Sequence, residues 1–149
     1  GRGAPSPAAS GRSEGGDPLE LRPVTFSAKA LAHGRHPTRL ARMERPDGKA
    51  TRLGWCGELM EMYLRVEGDR IVDASFWADG CVSTMACADM ITTMVRGMTL
   101  DEARAITPGE LVRELDGLPY ASQHCAELSV DTLRDALEAL RPRGIASGP

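Results

Sequence analysis

Four cysteines carry most of the chemical capacity of this sequence, and their local surroundings differ. Cys56 lies between two glycines in GWCGE, Cys81 follows the turn-forming ADG, and Cys125 follows a histidine in SQHC. Cys87 instead lies within an apolar periodic segment. Because thiolates are nucleophiles and soft metal ligands, the first three cysteines are candidates for thiol chemistry or metal binding. The elements around them determine whether they can meet.

A β-hairpin is predicted between Cys56 and Cys81. Over residues 59–67 the apolar side chains recur at every second position, which is typical of a strand with one buried face. These side chains are Met60, Met62, Leu64 and Val66. EGDR supplies a turn, and a second strand is predicted over residues 71–77. Its predicted buried face consists of Val72, Ala74 and Phe76.

A long helix is predicted after Cys81, because the apolar period changes from two to about 3.6. Ser83 or Thr84 is its predicted N-cap, and Gly97 lies where a C-cap glycine is preferred. Cys87 falls on the apolar stripe of this helix, where a free cysteine acts as a small hydrophobic residue. We therefore predict a structural role for Cys87.

The remaining helices are indicated by their start and stop signals. A short helix is predicted in FSAKALAHG, ending at Gly34. A last helix is predicted after Cys125, ending before Pro142, and its apolar face consists of Leu128, Leu133, Ala136, Leu137 and Leu140. Between these, two capping boxes begin short helices: Thr99 with Glu102, and Thr107 with Glu110.

Two of the candidate thiols, Cys81 and Cys125, are predicted at helix N-termini. The partial positive charge there is expected to lower the pKa of each thiol below its usual value of about 8.5. None of the cysteines forms a Cys-x-x-Cys pair, which disfavours a zinc ribbon and a thioredoxin-like dithiol. Three separate loops that each bring one thiol indicate a single metal position instead.

Other polar residues near the cysteines could complete such a site. Glu58 lies two residues after Cys56, and His124 directly precedes Cys125, so each is a candidate fourth ligand. His33 and His36 belong to a segment with few apolar residues, and we expect them to be exposed or cap-like instead of ligands.

Composition restricts the partners and the location. The chain has 149 residues, 42% hydrophobic and 26% charged, with a formal net charge of -3 and no long Lys/Arg run. It therefore has no electrostatic footprint for nucleic acid or an anionic membrane. No apolar run reaches the roughly 20 residues of a membrane span, and no signal peptide is evident, so a cytoplasmic location is expected. We expect a disordered tail over residues 1–25, a folded domain over 26–141 and a loose tail over 142–149.

The order of the motifs resembles a known family. CGE before a strand, DGC before a helix and HC at the last helix are similar to the iron-sulfur cluster assembly scaffolds, the IscU-like or NifU N-terminal domain, from residue 26 to about residue 140. The resemblance implies an α+β fold: a small antiparallel sheet of about three strands with helices packed on one face. A third strand would then precede Cys56, and the three cysteine loops would converge at one exposed end.

The resemblance also implies a function. A cysteine desulfurase would pass persulfide sulfur to Cys125, and iron would join it to form a labile [2Fe-2S] cluster on Cys56, Cys81 and Cys125. Either Glu58 or His124 would be the fourth, more exchangeable metal ligand. The cluster would then pass to apo iron-sulfur acceptor proteins, so the chain would be a binding and transfer protein and not an enzyme.

The sequence departs from the family pattern at three positions. Glu58 replaces the usual Asp, which changes the reach of the carboxylate. Val82 follows the second cysteine where Gly is frequent, which disfavours a positive φ there. Ser122, in LPYAS, occupies the place of the Lys in the Leu-Pro-Pro-Val-Lys stretch read by a chaperone, so chaperone-assisted release by that route is not expected.

Two alternative functions use the same residues. A zinc-binding protein could hold Zn²⁺ structurally with Cys56, Glu58 or His124, Cys81 and Cys125, and the ligand set suits both readings. A thiol-dependent enzyme would need His124 as a base for Cys125. Adjacent residues at a helix start point apart, so this pairing is not favoured by sequence alone.

Overall fold

The computed structural model describes residues 25–140, and within that range the chain forms one three-stranded sheet and five α-helices. Apart from residue 25, the two predicted tails lie outside the described residues. None of the described helices is both long and apolar enough to cross a bilayer. In chain order the elements are α1 (Ala28–Arg35), β1 (Gly48–Leu53), β2 (Leu59–Glu67), β3 (Arg70–Asp79), α2 (Val82–Val95), α3 (Leu100–Arg104), α4 (Pro108–Glu114), a 3-10 turn (Tyr120–Ser122) and α5 (Gln123–Glu138).

The sheet has the order β1-β2-β3, with both pairs antiparallel. β1 is the third strand that the family resemblance placed before Cys56. The alternating face predicted for β2 is confirmed, since each of its four apolar side chains is at most 5% exposed. The predicted α+β fold is therefore correct in its strands and in their pairing.

The predicted face of β3 is wrong at one residue. Val72 is 41% exposed, whereas Ile71, Ala74 and Phe76 are fully buried. The pairing register shifts between Arg65 and Val66, so that Val72 is an extra residue on β3. Such a bulge inverts the alternation on one side of it, and it moves Val72 from the core face to solvent.

Helices α2 and α5 cover one face of the sheet and contribute most of the core on that side. Ten of the fourteen residues of α2 are buried, because α1, α5 and β3 surround it. Cys87 is among them and is fully buried, as predicted. Burial of a thiol in apolar surroundings also raises the pKa of Cys87 well above its usual value.

The helix ends agree with the sequence signals except at three positions. α1 ends at Arg35, one residue beyond the predicted Gly34. Both capping boxes are formed. The N-cap of α2 is Cys81, not Ser83 or Thr84, because the chain turns helical directly after the strand β3. α5 begins at Gln123, two residues before Cys125, because the 3-10 turn leads into it and supplies its start.

A buried carboxylate ties α1 and the following segment to α2. Asp89 is fully buried, and it accepts hydrogen bonds from the backbone of Thr38 and Arg39, both at 2.8 Å. His33 lies 2.6 Å from the same carboxylate and is only 21% exposed, so its predicted exposure is wrong. His36 is exposed and is the C-cap residue of α1, as expected.

Candidate functional site

Three chain segments meet at one end of the sheet. At this end Leu53 of β1 pairs with Leu59 of β2, and Leu59 also pairs with Asp79 at the end of β3. The β1–β2 loop is therefore adjacent to the β3–α2 junction. The first turn of α5 completes this end of the molecule, so the segments around Cys56, Cys81 and Cys125 converge as the resemblance implied.

The β1–β2 loop holds its shape through glycine. Gly54 donates its N–H to the carbonyl of Glu58 and accepts a hydrogen bond from the N–H of Gly57. Gly57 has a φ of +92°, which favours glycine. A Cβ on Gly54 would come within 2.5 Å of the Glu58 carboxylate. The glycines on both sides of Cys56 thus allow the loop to close tightly over Glu58.

Glu58 is the polar centre of the site. It is only 7% exposed, so it does not face water at the start of its strand. Its carboxylate accepts a hydrogen bond from the N–H of Cys56 at 3.1 Å and lies 3.2 Å from Nε2 of His124. The Sγ of Cys125 lies 3.9 Å from the same carboxylate. One buried side chain therefore contacts all three of the residues that flank it in space.

His124 and Cys125 do not point apart. Nε2 of His124 lies 3.7 Å from Sγ of Cys125, so the expected separation of these side chains is wrong. The reason is that His124 turns back across the helix start to reach Glu58. The thiol of Cys125 is enclosed beneath them, and the residue has no exposed surface.

The electrostatics of the two thiols at helix starts are opposite. Burial raises the pKa of Cys125 to about 12, and nearby Cys81 and Glu58 add to the rise although Thr84 opposes it. The predicted lowering is therefore wrong for Cys125, because desolvation outweighs the helix start. At Cys81 burial also acts to raise the pKa, but interactions with Thr84 and Ser83 outweigh it and hold the pKa below its usual value.

The donor set fits a metal ion. The Sγ of Cys56, a carboxylate oxygen of Glu58 and a ring nitrogen of His124 lie within 4.8 Å of one another. Cys125 borders this group, and Cys81 reaches it through Thr84, whose Oγ1 lies 3.6 Å from Sγ of Cys81 and 3.8 Å from Sγ of Cys125. An open cleft of about 440 Å³ lies over the group. Thiolate, carboxylate and imidazole together suit zinc and iron, and the cleft leaves room for further ligands.

Two residues of the site escaped the sequence analysis. Trp55 is 86% exposed and lies edge-on to the His124 ring, with 6.1 Å between ring centroids. Thr84 is fully buried between two thiols, although the sequence suggested only a capping role. A large aromatic residue directly before Cys56 is a signal that could have been used. The position of Thr84, one turn after Cys81, was a second.

The departures from the family pattern have structural counterparts. Val82 opens α2 directly, and Asp116 is the only non-glycine residue with a positive φ between residues 25 and 140. Ser122 accepts a hydrogen bond from the hydroxyl of Ser83 at 2.6 Å. The serine that stands at the lysine position therefore joins the 3-10 turn to the start of α2.

Comparison with protein families matches residues 25–146 to the NifU-like N terminal domain. The chain is 37% identical over 114 residues to the iron-sulfur cluster assembly scaffold protein IscU 1 of Archaeoglobus fulgidus, covering 75% of this chain and 74% of that protein. It is 29% identical over 119 residues to the iron-sulfur cluster assembly scaffold protein IscU of Escherichia coli, covering 76% and 92%.

Solved structures show the same fold. A NifU-like protein (N-terminal) from Brucella abortus superposes with a TM-score of 0.65 at 20% identity, covering 79% of this chain and 95% of that one. A putative iron-sulfur cluster assembly scaffold protein for the SUF system from Fervidobacterium islandicum gives a TM-score of 0.63 at 19% identity, covering 75% and 96%. Both have the α+β architecture described above.

Proposed function

Because the chain belongs to the NifU-like N-terminal domain family, we propose that it is a scaffold for the assembly and transfer of iron-sulfur clusters. The observation that carries this proposal is the grouping of Cys56, Cys125, Glu58 and His124 beside one open cleft, which Cys81 also lines. Three soft thiolates can hold iron, while a carboxylate or imidazole supplies a harder ligand that is more readily exchanged. Such a mixed ligand set suits a cluster that is to be passed on.

The proposed cargo is a [2Fe-2S] cluster. A cysteine desulfurase would present a persulfide, and a scaffold thiolate would attack its outer sulfur. The new S–S bond leaves the sulfur on the scaffold, and the desulfurase cysteine departs as a thiolate. Ferrous iron and an external reductant then convert this sulfur to sulfide. Apo iron-sulfur proteins would receive the finished cluster.

Cys125 is our proposed persulfide acceptor, and its enclosure adds a requirement. This thiol does not line the cleft, whereas Glu58 and His124, which contact it, do, so a side chain in this contact must move before a partner's sulfur can reach it. The exposed thiols of Cys56 and Cys81 need no such movement. The function therefore includes an opening of the Glu58–His124 contact.

A structural zinc site is the second candidate. The close grouping of Cys56, Glu58 and His124 favours a single ion, and a fourth ligand from Cys125 would give a closed tetrahedral centre. Zinc would then tie the three segments together without transfer of any cargo. This candidate and the scaffold differ in whether the chain can hold sulfide.

For the third reading, a thiol-dependent enzyme, one observation is favourable and one is unfavourable. His124 reaches Cys125, but burial of Cys125 disfavours its thiolate. We therefore propose a binding and transfer protein without catalytic turnover.

Anaerobic reconstitution with ferrous iron and sulfide tests the scaffold directly. A scaffold should yield a brown protein with visible charge-transfer bands. Its iron and sulfide contents should be equal, with about two of each per chain if one chain holds the [2Fe-2S] centre, or per two chains if a pair shares it. A protein that takes up zinc but retains no acid-labile sulfide would contradict the scaffold and support the zinc site.

A further inference from the structure

Thr84 lies between two thiols that belong to different helices. Its Oγ1 is 3.6 Å from Sγ of Cys81, at the N-cap of α2, and 3.8 Å from Sγ of Cys125, in the first turn of α5. The threonine is fully buried, and it also forms part of the wall of the cleft. Its hydroxyl is therefore the polar group that connects these two sulfurs.

The orientation of this hydroxyl differs from that of other buried threonines. Thr92, later in α2, donates its hydroxyl to the carbonyl of Ala88 at 2.7 Å, and Thr132 in α5 donates to Leu128 in the same way. This bond to the preceding turn is common for threonine in helices. Among the hydrogen bonds of the described residues, Thr84 Oγ1 contacts only the two sulfurs.

The backbone before α2 approaches this hydroxyl closely. A Cβ on Gly80 would lie 2.6 Å from Oγ1 of Thr84, so the strand end packs directly against this atom. Glycine at position 80 thus leaves the room that the threonine side chain occupies.

A hydroxyl has one proton to donate and two lone pairs. When Cys81 and Cys125 both bind metal as thiolates, Thr84 can donate to only one of them at a time. A hydrogen bond to a ligand sulfur withdraws electron density from it, and such bonds help set the properties of thiolate-bound metal centres.

We propose that Thr84 is a positioning residue that holds the sulfurs of Cys81 and Cys125 and donates a hydrogen bond to a metal-bound thiolate of the pair. The inference deepens the proposed function, since it rests on these cysteines being ligands. It makes the two thiolates unequal, and the sulfur that accepts the hydrogen bond is the weaker electron donor.

Cobalt(II) is the probe for this proposal, because its thiolate charge-transfer bands report the electron density on sulfur. The full chain is titrated anaerobically with Co²⁺ as wild type and as Thr84→Val, Thr84→Ser and Thr92→Val. Thr84→Val replaces the hydroxyl by a methyl group of similar size. Thr84→Ser keeps the hydroxyl, and Thr92→Val makes the same change in a buried threonine of the same helix that points to a carbonyl.

We expect the charge-transfer band of Thr84→Val to shift to lower energy, because the sulfur has lost its hydrogen bond. Its apparent Co²⁺ affinity should fall by roughly 10- to 100-fold, as for other residues that orient metal ligands. The band should stay at the wild-type energy in Thr84→Ser and Thr92→Val. If Thr84→Val does not fold, Thr84→Ala should show the same shift.

The band energy decides the outcome. An unchanged band in Thr84→Val, or an equal shift in Thr92→Val, would overturn the role of Thr84. Because Co²⁺ binding needs the cysteines but no sulfide, this result is independent of cluster assembly. Failure of iron and sulfide reconstitution would remove the scaffold function and leave the cobalt result standing.

Discussion

Between residues 25 and 140, some helices begin with a side-chain N-cap and others begin without one. α3 and α4, which lie outside the cysteine-bearing segments, each start with a complete capping box. The hydroxyl of Thr99 or Thr107 accepts a hydrogen bond from the N–H of a glutamate, and the carboxylate of that glutamate accepts one from the N–H of the threonine. Within residues 25–140, the two helices that begin at the cysteine cluster differ: neither Cys81 of α2 nor Ser122 of α5 makes a side-chain capping hydrogen bond.

This difference separates stability from chemistry. A good N-cap is worth about 1 kcal/mol, and sulfur is only a weak acceptor. By placing cysteine at the N-cap of α2, the chain gives up that stabilisation and presents a thiol at the mouth of the cleft instead. Local rules for helix starts are followed at α3 and α4 and are broken at the proposed site.

The largest expected effect comes from removing a thiol at the uncapped end. Cys56→Ala, Cys81→Ala and Cys125→Ala should each abolish stable cluster assembly, because no described cysteine can replace the lost ligand. Cys87→Ala, which removes a buried thiol outside the cleft, should still assemble a cluster and lose about 1 kcal/mol of stability. Iron and acid-labile sulfide per chain after reconstitution are the measurements. A Cys87→Ala protein without a cluster would show that its role is not structural.

The second effect concerns which thiols react in the metal-free protein. Iodoacetamide should modify Cys56 and Cys81 first and Cys125 only after opening of the site, since Cys125 and Cys87 are buried. Because only the thiolate reacts, the lowered pKa of Cys81 should let its rate rise at a lower pH than that of a free cysteine. Peptide mass spectrometry over a pH series measures each rate. Early modification of Cys125 would contradict its enclosure.

The third effect concerns Glu58, the buried carboxylate of the site. We expect Glu58→Ala to keep its cluster longer than wild type does. The substitution removes the exchangeable carboxylate ligand, and with it the route by which an acceptor's thiol attacks the cluster. Glu58→Asp introduces the aspartate that is usual in the family pattern. This variant should still assemble a cluster, and its rate of cluster transfer should shift toward the family norm. Circular dichroism during transfer to an apo-ferredoxin measures these rates.

Glu61→Ala is a matched control for Glu58, since Glu61 lies three residues further on, in β2, but pairs with Arg42 and Tyr63 and does not line the cleft. Its transfer rate should equal that of wild type. Equal rates in wild type, Glu58→Ala and Glu58→Asp would remove Glu58 from the transfer step and leave His124 as the fourth ligand.

The smallest effect comes from the capped end. Thr99→Ala should lower the free energy of unfolding by about 1 kcal/mol, because the hydroxyl that accepts a hydrogen bond from the N–H of Glu102 is lost, and should leave cluster assembly unchanged. Cys81→Ser should do the reverse, since serine is a favoured N-cap: stability is kept or rises while assembly is lost. Urea unfolding with reconstitution on the same samples tests both. A Cys81→Ser protein that assembles a cluster would contradict the comparison.

Much of the fold could be predicted because its signals are local. The period of β2, the two capping boxes and the apolar face of α5 each depend on residues close in sequence. The bulge at Val72 could not be predicted, since valine is as apolar as its neighbours and only the pairing with β2 shows which residue is extra. The third strand came from the family resemblance and not from its own pattern.

The site could be predicted in its members but not in its geometry. Residue types and loop positions were sufficient to identify the five candidate residues, which are Cys56, Glu58, Cys81, His124 and Cys125. The enclosure of Cys125 depends on Glu58 reaching across from the β1–β2 loop, and the contact of His124 with Cys125 depends on the same carboxylate. Thr84 was missed for the same reason, because its partners lie on two helices.

The buried carboxylate of Asp89 has a consequence for self-association. It binds the backbone of Thr38 and Arg39, and the next residues pair with Phe76 as a short parallel addition to the free edge of β3. An uncovered strand edge is a template for pairing with another chain. Asp89→Asn would keep the oxygen that accepts these backbone bonds, whereas Asp89→Ala would release the segment, and light scattering of the two would separate loss of charge from loss of cover. We expect the Asp89→Ala protein to associate more than the Asp89→Asn protein, because the edge of β3 at Phe76 is then uncovered.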